Sequence, residues 1–144
     1  MVRRLLLVTL ALALLVGCNP KIDPVEDEGK PVTVQVYWVS WCDYCKQQLD
    51  IVQEIHDEIQ GEYLGEMVEF EGLNVGDSIE VVAPLARERG YTFLIKTGSQ
   101  PPPVLAYPVT RILLKGQDTP VASWVGLISK GSLYRAIIFT VNRL

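Results

Sequence analysis

The stretch Val32 to Asp50, VTVQVYWVSWCDYCKQQLD, changes its hydrophobic period around a pair of cysteines. Before the pair, Val32, Val34, Val36 and Trp38 fall at every second position, which places all four on one face of a strand. After it, Leu49, Val52, Ile55 and Ile59 recur at three- and four-residue steps, the spacing of one apolar helix face. Cys42 therefore follows a strand and opens a helix, with Cys45 one turn further in. A strand-to-helix turn is specified, and two thiols sit on it.

That position matters for sulfur chemistry. Unpaired N–H groups and the dipole at a helix N-terminus favour a thiolate, and so lower the pKa of the first cysteine. Cys45 is near enough to close a Cys42–Cys45 disulfide and is better shielded. Cys42 is the expected nucleophile, and Cys45 the resolving thiol that releases a mixed disulfide. A merely structural disulfide is the competing reading. A c-type haem requires His directly after the second cysteine, where Lys46 stands. A structural zinc site takes four ligands, whereas the chain has a single histidine, His56, about three helical turns beyond Cys45. No metal and no cofactor is expected, and His56 reads as an ordinary helix histidine.

The rest of the chain alternates between the two periods. EMVEFEGLNV reads as a second strand closing at the NVGDS turn, with Ser78 as a candidate helix cap. A short helix over 79–89 is stopped by Gly90. A Pro-rich loop, KTGSQPPPVLAYP, follows, with Pro101 to Pro103 extended like polyproline II. VTRILL and VASWVG, joined by the KGQDTP turn, predict a hairpin, and SKGSLYRAIIFTVNRL predicts a last helix capped at Ser129 or Ser132. The order is β-α-β-α-β-β-α, an α/β class with one domain over 32–144. A formal charge of −4 with no basic stripe argues against nucleic acid, whose phosphates need clustered Lys and Arg.

The N-terminus reads as an address. Arg3 and Arg4 precede an apolar run from Leu5 to Val16, shorter than the roughly 20 residues that span a bilayer and suited to a signal peptide. The run ends in Leu15-Val16-Gly17-Cys18, which resembles the bacterial lipobox. That resemblance implies cleavage of residues 1–17 and a lipid on Cys18, leaving Cys42 and Cys45 as the free pair. A plain secretory signal or an uncleaved anchor is the alternative. Residues 18–31, rich in acids and broken by Pro and Gly, then form the lipidated cysteine and a flexible tether. Several acyl chains hold a protein on a membrane far better than one, and disulfides persist outside the cytoplasm.

VYWVSWCDYCK resembles the active-site segment of thioredoxin, with Trp38, Trp41, Cys42, Cys45 and Lys46 in matching places. YPVTRILLKGQDTPVASWVGLISKGSLYRAI resembles the same family's cis-proline, hairpin and last-helix segment. NVGDSIEVVAPLARERGYTF is similar to the membrane-attached TlpA/ResA-like branch, while residues 97–106 match least. The resemblance implies a thioredoxin fold, a central mixed sheet flanked by helices. It also implies a cis bond at Pro108, with Tyr107 and Pro108 lining the edge where a substrate chain pairs, and a glycine, Gly126, nearby. A plain strand-start proline and a plain turn glycine are the alternatives for those two. Trp41 and Tyr44 offer an apolar contact surface beside the sulfur, with core packing the alternative for Trp41.

The departures from the family carry information. Val36 stands where many thioredoxins bury an Asp, Gln48 where TlpA/ResA-like proteins often have a Glu, and Asp50 where a helix-kinking Pro is usual. Asp43 between the cysteines repels a neighbouring thiolate and competes for the helix dipole. Asp43 is expected to set the pair toward the reducing side, and Tyr44 and Lys46 are the other residues expected to tune it. The resulting expectation is a monomeric, lipid-anchored thiol–disulfide oxidoreductase in the cell envelope, facing the periplasm or the exterior. Its partners are disulfides and thiols of exported proteins, and a DsbD-like membrane dithiol donor. Asn19 after the lipid cysteine points to the outer membrane in a cell that has one. A non-catalytic binding or metallochaperone module, or an oxidase or isomerase, is the rival expectation.

Overall fold

The computed structural model describes residues 29–144. The expected signal peptide, 1–17, the expected lipid site Cys18 and most of the expected tether, 18–31, lie outside the described residues. The elements run β1 Val32–Trp38, α1 Asp43–Ile59, α2 Tyr63–Met67, β2 Val68–Asn74, α3 Ile79–Arg89, β3 Leu94–Lys96, β4 Val109–Leu114, β5 Ala122–Val125 and α4 Lys130–Val141. The five strands form one sheet in the order β3-β2-β1-β4-β5. β1 pairs parallel with β2 and antiparallel with β4; β3 is parallel to β2, and β5 antiparallel to β4. The architecture is the mixed α/β sheet expected from the sequence, with two additions: the one-turn helix α2 and the three-residue edge strand β3.

Period two decides the centre of the sheet. Val32, Val34, Val36 and Trp38 are all fully buried, and they pack with Leu49, Val52, Ile55 and Ile59 of α1 and Leu133, Ile137 and Val141 of α4. Each such side chain taken out of water contributes on the order of 1.5–3 kcal/mol. Val82 of α3 and Phe93 complete the same core. Helix ends follow local chemistry: Ser129 caps α4 by accepting a hydrogen bond from the Ser132 N–H, and Gly90 ends α3 in the left-handed region at φ 72°. Ser78 does occupy the N-cap position of α3, but its side chain makes no capping bond to the helix backbone.

The opposite sheet face is built differently. Toward the strand ends that carry the cysteines, Tyr37, Leu73 and Val109 form a small apolar cluster with Val75 and Tyr107. Pro102, Pro103 and Val104 of the Pro-rich loop border a groove with Tyr37, Val109 and Arg111. Further down, the face is polar. Thr33 donates to Glu69 (2.8 Å), Gln35 to Glu71 (2.8 Å) and Arg111 to Gln35 (2.9 Å), while Lys96 pairs with Glu71. Arg111 also lies over the Tyr37 ring at 4.8 Å.

The short helix α2 turns the chain from the end of α1 into β2, and it does so in very little space. A Cβ on the buried Gly65 would stand 2.2 Å from the carbonyl oxygen of Ile59. Backbone cannot yield there without moving the end of α1. Gly65→Ala is therefore expected to destabilise the protein by about 1–3 kcal/mol, the usual cost of overpacking. The measurement is a urea unfolding curve, with the midpoint falling and the slope unchanged; an unchanged midpoint contradicts this packing account.

Candidate active site

The turn between β1 and α1 holds both cysteines. Cys42 is the N-cap of α1, with extended backbone (φ −95°, ψ 108°), and its Sγ accepts a hydrogen bond from the Cys45 N–H at 3.1 Å. A sulfur thus fills the capping role that a hydroxyl or carboxylate usually takes, and meets one of the free N–H groups of the first turn. Cys42 and Cys45 are joined in a disulfide, with Cα atoms 5.2 Å apart. Their surroundings are unequal: Cys42 is half-buried, whereas Cys45 is fully buried in the main core.

The neighbours of the pair divide by exposure. Trp41 is 76% exposed and Tyr44 64%, so neither is a core residue, and the core alternative for Trp41 is excluded. Asp43 lies in the first turn of α1 with its side chain 89% exposed, and Lys46 reaches it at 3.5 Å. Such an exposed pair contributes little to stability; its significance is the charge it places beside the sulfur. His56 sits far along α1, edge-on to Phe70 and near Phe93, away from the cysteines.

Beneath the disulfide the side chains are neutral. Val36 is fully buried, and Thr110 of β4 stands directly opposite it in the sheet register. Gln48, one turn after Cys45, is also fully buried; its Oε1 accepts the backbone N–H of Ile128 at 2.8 Å. Among the described residues, Gln48 Nε2 and Thr110 Oγ1 have no hydrogen-bond partner. Gln48 thus ties the helix of the cysteines to the segment leading into α4. Sequence reasoning noted Gln48 only as a departure from a pattern and missed this contact, which joins positions 80 residues apart.

A second loop system lies alongside. The Tyr107–Pro108 peptide bond is cis, and Pro108 is buried. The Pro108 carbonyl accepts the N–H of Gly126 at 2.8 Å, and Gly126 adopts φ 88°, a conformation that glycine takes without strain. Val125 and Leu127 beside it, and Leu105 ahead of Tyr107, are exposed.

Two polar clusters that the sequence did not announce hold the frame. Asp50 accepts from Arg89 at 2.7 Å and from the Tyr91 hydroxyl at 2.8 Å, which ties α1 to the end of α3. Burial and the Asp50 contact push the Tyr91 phenol well up from its ordinary range. At the other side, the Asp77 carboxylate accepts from the Ser40 N–H (2.7 Å), the Ser40 hydroxyl (2.9 Å) and Asn74 Nδ2 (2.9 Å). Burial pushes the Asp77 carboxyl up, but the bonds from Asn74 and Ser40 outweigh it and hold it below the usual carboxylate value.

No protein-family model matches the sequence, and no curated protein matches it. Solved structures do share the fold. StoA from Bacillus subtilis superposes with a TM-score of 0.62 at 19% identity, covering 77% of this chain and 84% of that one. A secreted thiol-disulfide isomerase from Corynebacterium glutamicum gives 0.65 at 22% identity, over 78% and 71%. A thiol:disulfide interchange protein of the thioredoxin family from Chlorobium tepidum gives 0.64 at 13%, over 78% and 80%. The described chain therefore has the thioredoxin fold, with a Cys-x-x-Cys disulfide at the turn from its central strand into its first helix.

Proposed function

We propose that this protein is an extracytoplasmic thiol–disulfide oxidoreductase, anchored by a lipid on Cys18, that reduces disulfides of exported proteins. One observation carries the reading: the half-exposed Cys42 caps a helix between the exposed Trp41 and Tyr44, while its partner Cys45 is fully buried. That asymmetry suits a pair in which one sulfur meets a partner protein and the other acts only from inside. The solved structures with the same fold include proteins described as thiol-disulfide isomerase and thiol:disulfide interchange protein, which supports the reaction class.

The steps follow from the thiol chemistry. In the reduced protein the Cys42 thiolate attacks one sulfur of a substrate disulfide and expels the other as a thiolate. A mixed disulfide between Cys42 and the substrate results. Cys45, after losing its proton, attacks Cys42 Sγ and releases the second substrate thiolate. The substrate gains two electrons, and Cys42–Cys45 becomes the disulfide. A membrane dithiol donor of the DsbD type is the proposed source of electrons for the next turn. Trp41, Tyr44, Tyr107 and Pro108 form the proposed docking edge, and the protein acts as a monomer. Maturation of cytochrome c or general thiol repair are the tasks proposed for it.

Asp43 sets the direction. Its charge near Cys42 disfavours the thiolate, and Lys46 offsets this only in part, since both side chains reach solvent. Less stabilisation of the reduced form means a weaker oxidant, so a potential of about −200 to −270 mV is expected. The neutral interior at Val36 and Gln48 favours one second reading, a binding module on the same fold without turnover.

Catalytic reduction of insulin by the wild-type protein, abolished in Cys42→Ser, is the expected outcome, and Cys45→Ser should accumulate a covalent adduct with its substrate. Absence of turnover in the wild type supports the binding module instead. A redox titration against glutathione should place the pair in the stated range, and Asp43→Asn should raise the potential by on the order of 10 mV. A wild-type value above about −150 mV indicates an oxidase.

Gln48→Glu tests the neutral interior separately. A buried carboxyl there has its pKa raised, so the native state holds a proton that the unfolded chain loses above about 4.3. Stability of the variant relative to wild type should then fall as pH rises from about 4.5 to 7. Denaturant melts across that range give the answer; parallel curves for the two proteins contradict a dry site beneath the disulfide.

A further inference from the structure

We propose that Asp77 is a positioning residue: its carboxylate clamps the Val39–Trp41 turn, through Ser40, in the shape that presents Trp41 and Cys42 to a partner protein. The proposal rests on the dithiol reading above for its activity assay. Its geometry stands on its own.

The turn leaving β1 is short. The Cys42 N–H donates to the Val39 carbonyl at 3.3 Å, so three residues carry the chain from the end of the strand to the nucleophile. Ser40 sits in the middle of them. Its N–H and its hydroxyl go to different oxygens of one carboxylate, Oδ2 at 2.7 Å and Oδ1 at 2.9 Å. A two-point attachment of this kind fixes rotation as well as distance. Hydrogen bonds to an ionised acceptor are also roughly twice as strong as neutral ones. No other described side chain hydrogen-bonds to residues 39–41. Trp41, 76% exposed, has little packing of its own to hold it.

Asp77 is itself held. Its backbone N–H donates to Asn74 Oδ1 at 3.1 Å, and Asn74 Nδ2 returns a bond to Asp77 Oδ2 at 2.9 Å. Asn74 is fully buried at the end of β2, the strand that pairs with β1, and the next residue, Val75, donates its N–H to the Trp38 carbonyl. The Asn74 carbonyl accepts the N–H of Ser99, where the Pro-rich loop leaves the sheet on its way to Tyr107 and Pro108. One buried asparagine and one carboxylate therefore join the loop of the nucleophile to the start of the loop that leads into Pro108. The clamp sets the spacing between the two sides of the docking face, where a misplacement of about 1 Å can cost as much as a hundredfold in rate.

A positioning role predicts a selective loss. Asp77→Ala in the full chain should lower kcat/KM for insulin reduction at least tenfold, yet change the rate with a small aromatic disulfide such as DTNB less than threefold. The small reagent needs the sulfur alone and no docking face. Asp77→Asn, which keeps an acceptor oxygen for the Ser40 N–H, should recover most of the loss. Ser40→Ala leaves the carboxylate and Asn74 in place and should give an intermediate effect, so the clamp is tested even if Asp77→Ala folds poorly. Amide exchange provides a readout independent of catalysis: the Ser40 N–H should exchange at least tenfold faster in Asp77→Ala, with core amides of β1 unchanged. Equal losses with insulin and DTNB that track thermal stability would overturn the positioning role, and so would unchanged exchange at Ser40. A wild type that reacts with DTNB but never turns over insulin refutes the reductase reading instead, and the Ser40 exchange rates then decide the clamp.

Discussion

The central strand β1 is the constraint on which the rest depends. It is paired on both edges, with β2 and β4, and its even-numbered side chains are fully buried against α1 and α4. A strand so enclosed has no freedom to slip, because a shift of one residue would turn four apolar side chains out of the core. Its C-terminal end is therefore fixed in space, and the tight turn after Trp38 delivers Cys42 to the first turn of α1. The placement of Cys42 at the start of α1 is a by-product of core packing. The sheet also brings the C-terminal end of β2 and the N-terminal end of β4 to this same end of β1, so the loop after β2, with Asp77, and the loop before β4, leading to Pro108, flank the turn without a dedicated scaffold.

This explains which parts of the structure were legible in the sequence. Period two over Val32–Trp38 and the three- and four-residue steps from Leu49 to Ile59 report burial directly, and both elements stand where the pattern places them. The hairpin of β4 and β5 was marked by turn residues at Gly116 and Pro120. By contrast, β3 has only three residues, Leu94 to Lys96, too few to display a period, and it exists because the edge of β2 is there to pair with. The helix α2 was hidden for a related reason: Tyr63–Met67 makes barely one turn, and its fit depends on a glycine passing close to Ile59. Short elements are defined by their neighbours, and a single sequence does not list neighbours.

The site shows the same division. Cys42 and Cys45 declare themselves by spacing and by their place at a change of period. Gln48, Asp77 and Asp50 do not, because each acts on a residue far away in sequence: Ile128, Ser40 and Arg89. Asp77 in NVGDS was read as part of a turn, and it is part of a turn. Its second role, toward Ser40, arises only when β1 and β2 lie side by side.

The distribution of charge around the disulfide then acquires a direction. The buried Val36, Thr110 and Gln48 are not ionisable; the charged groups, Asp43 and Lys46 in the first turn of α1 and Asp77 bonded to Ser40, lie on the exposed side. A group that gives up or takes a proton in a neutral, dry interior does so at high cost, since nothing there stabilises the charged form. In the proposed reaction, proton exchange with the buried Cys45 would therefore be directed to the surface side, past Cys42 and the exposed face of the first helical turn. That is the side a docked partner would cover. In the proposed reaction a partner seated on Trp41 and Tyr44 would shield the site from water while Cys45 still needs to lose its proton, so the order of docking and deprotonation would become part of that mechanism. The amide of Gln48, a fixed dipole with an unpartnered N–H in the oxidised protein, and the Thr110 hydroxyl are polar groups placed inside that barrier. Neither group changes charge with pH in the ordinary range, so in the proposed reaction pH acts on the pair through the thiols themselves and the charged groups on the surface side.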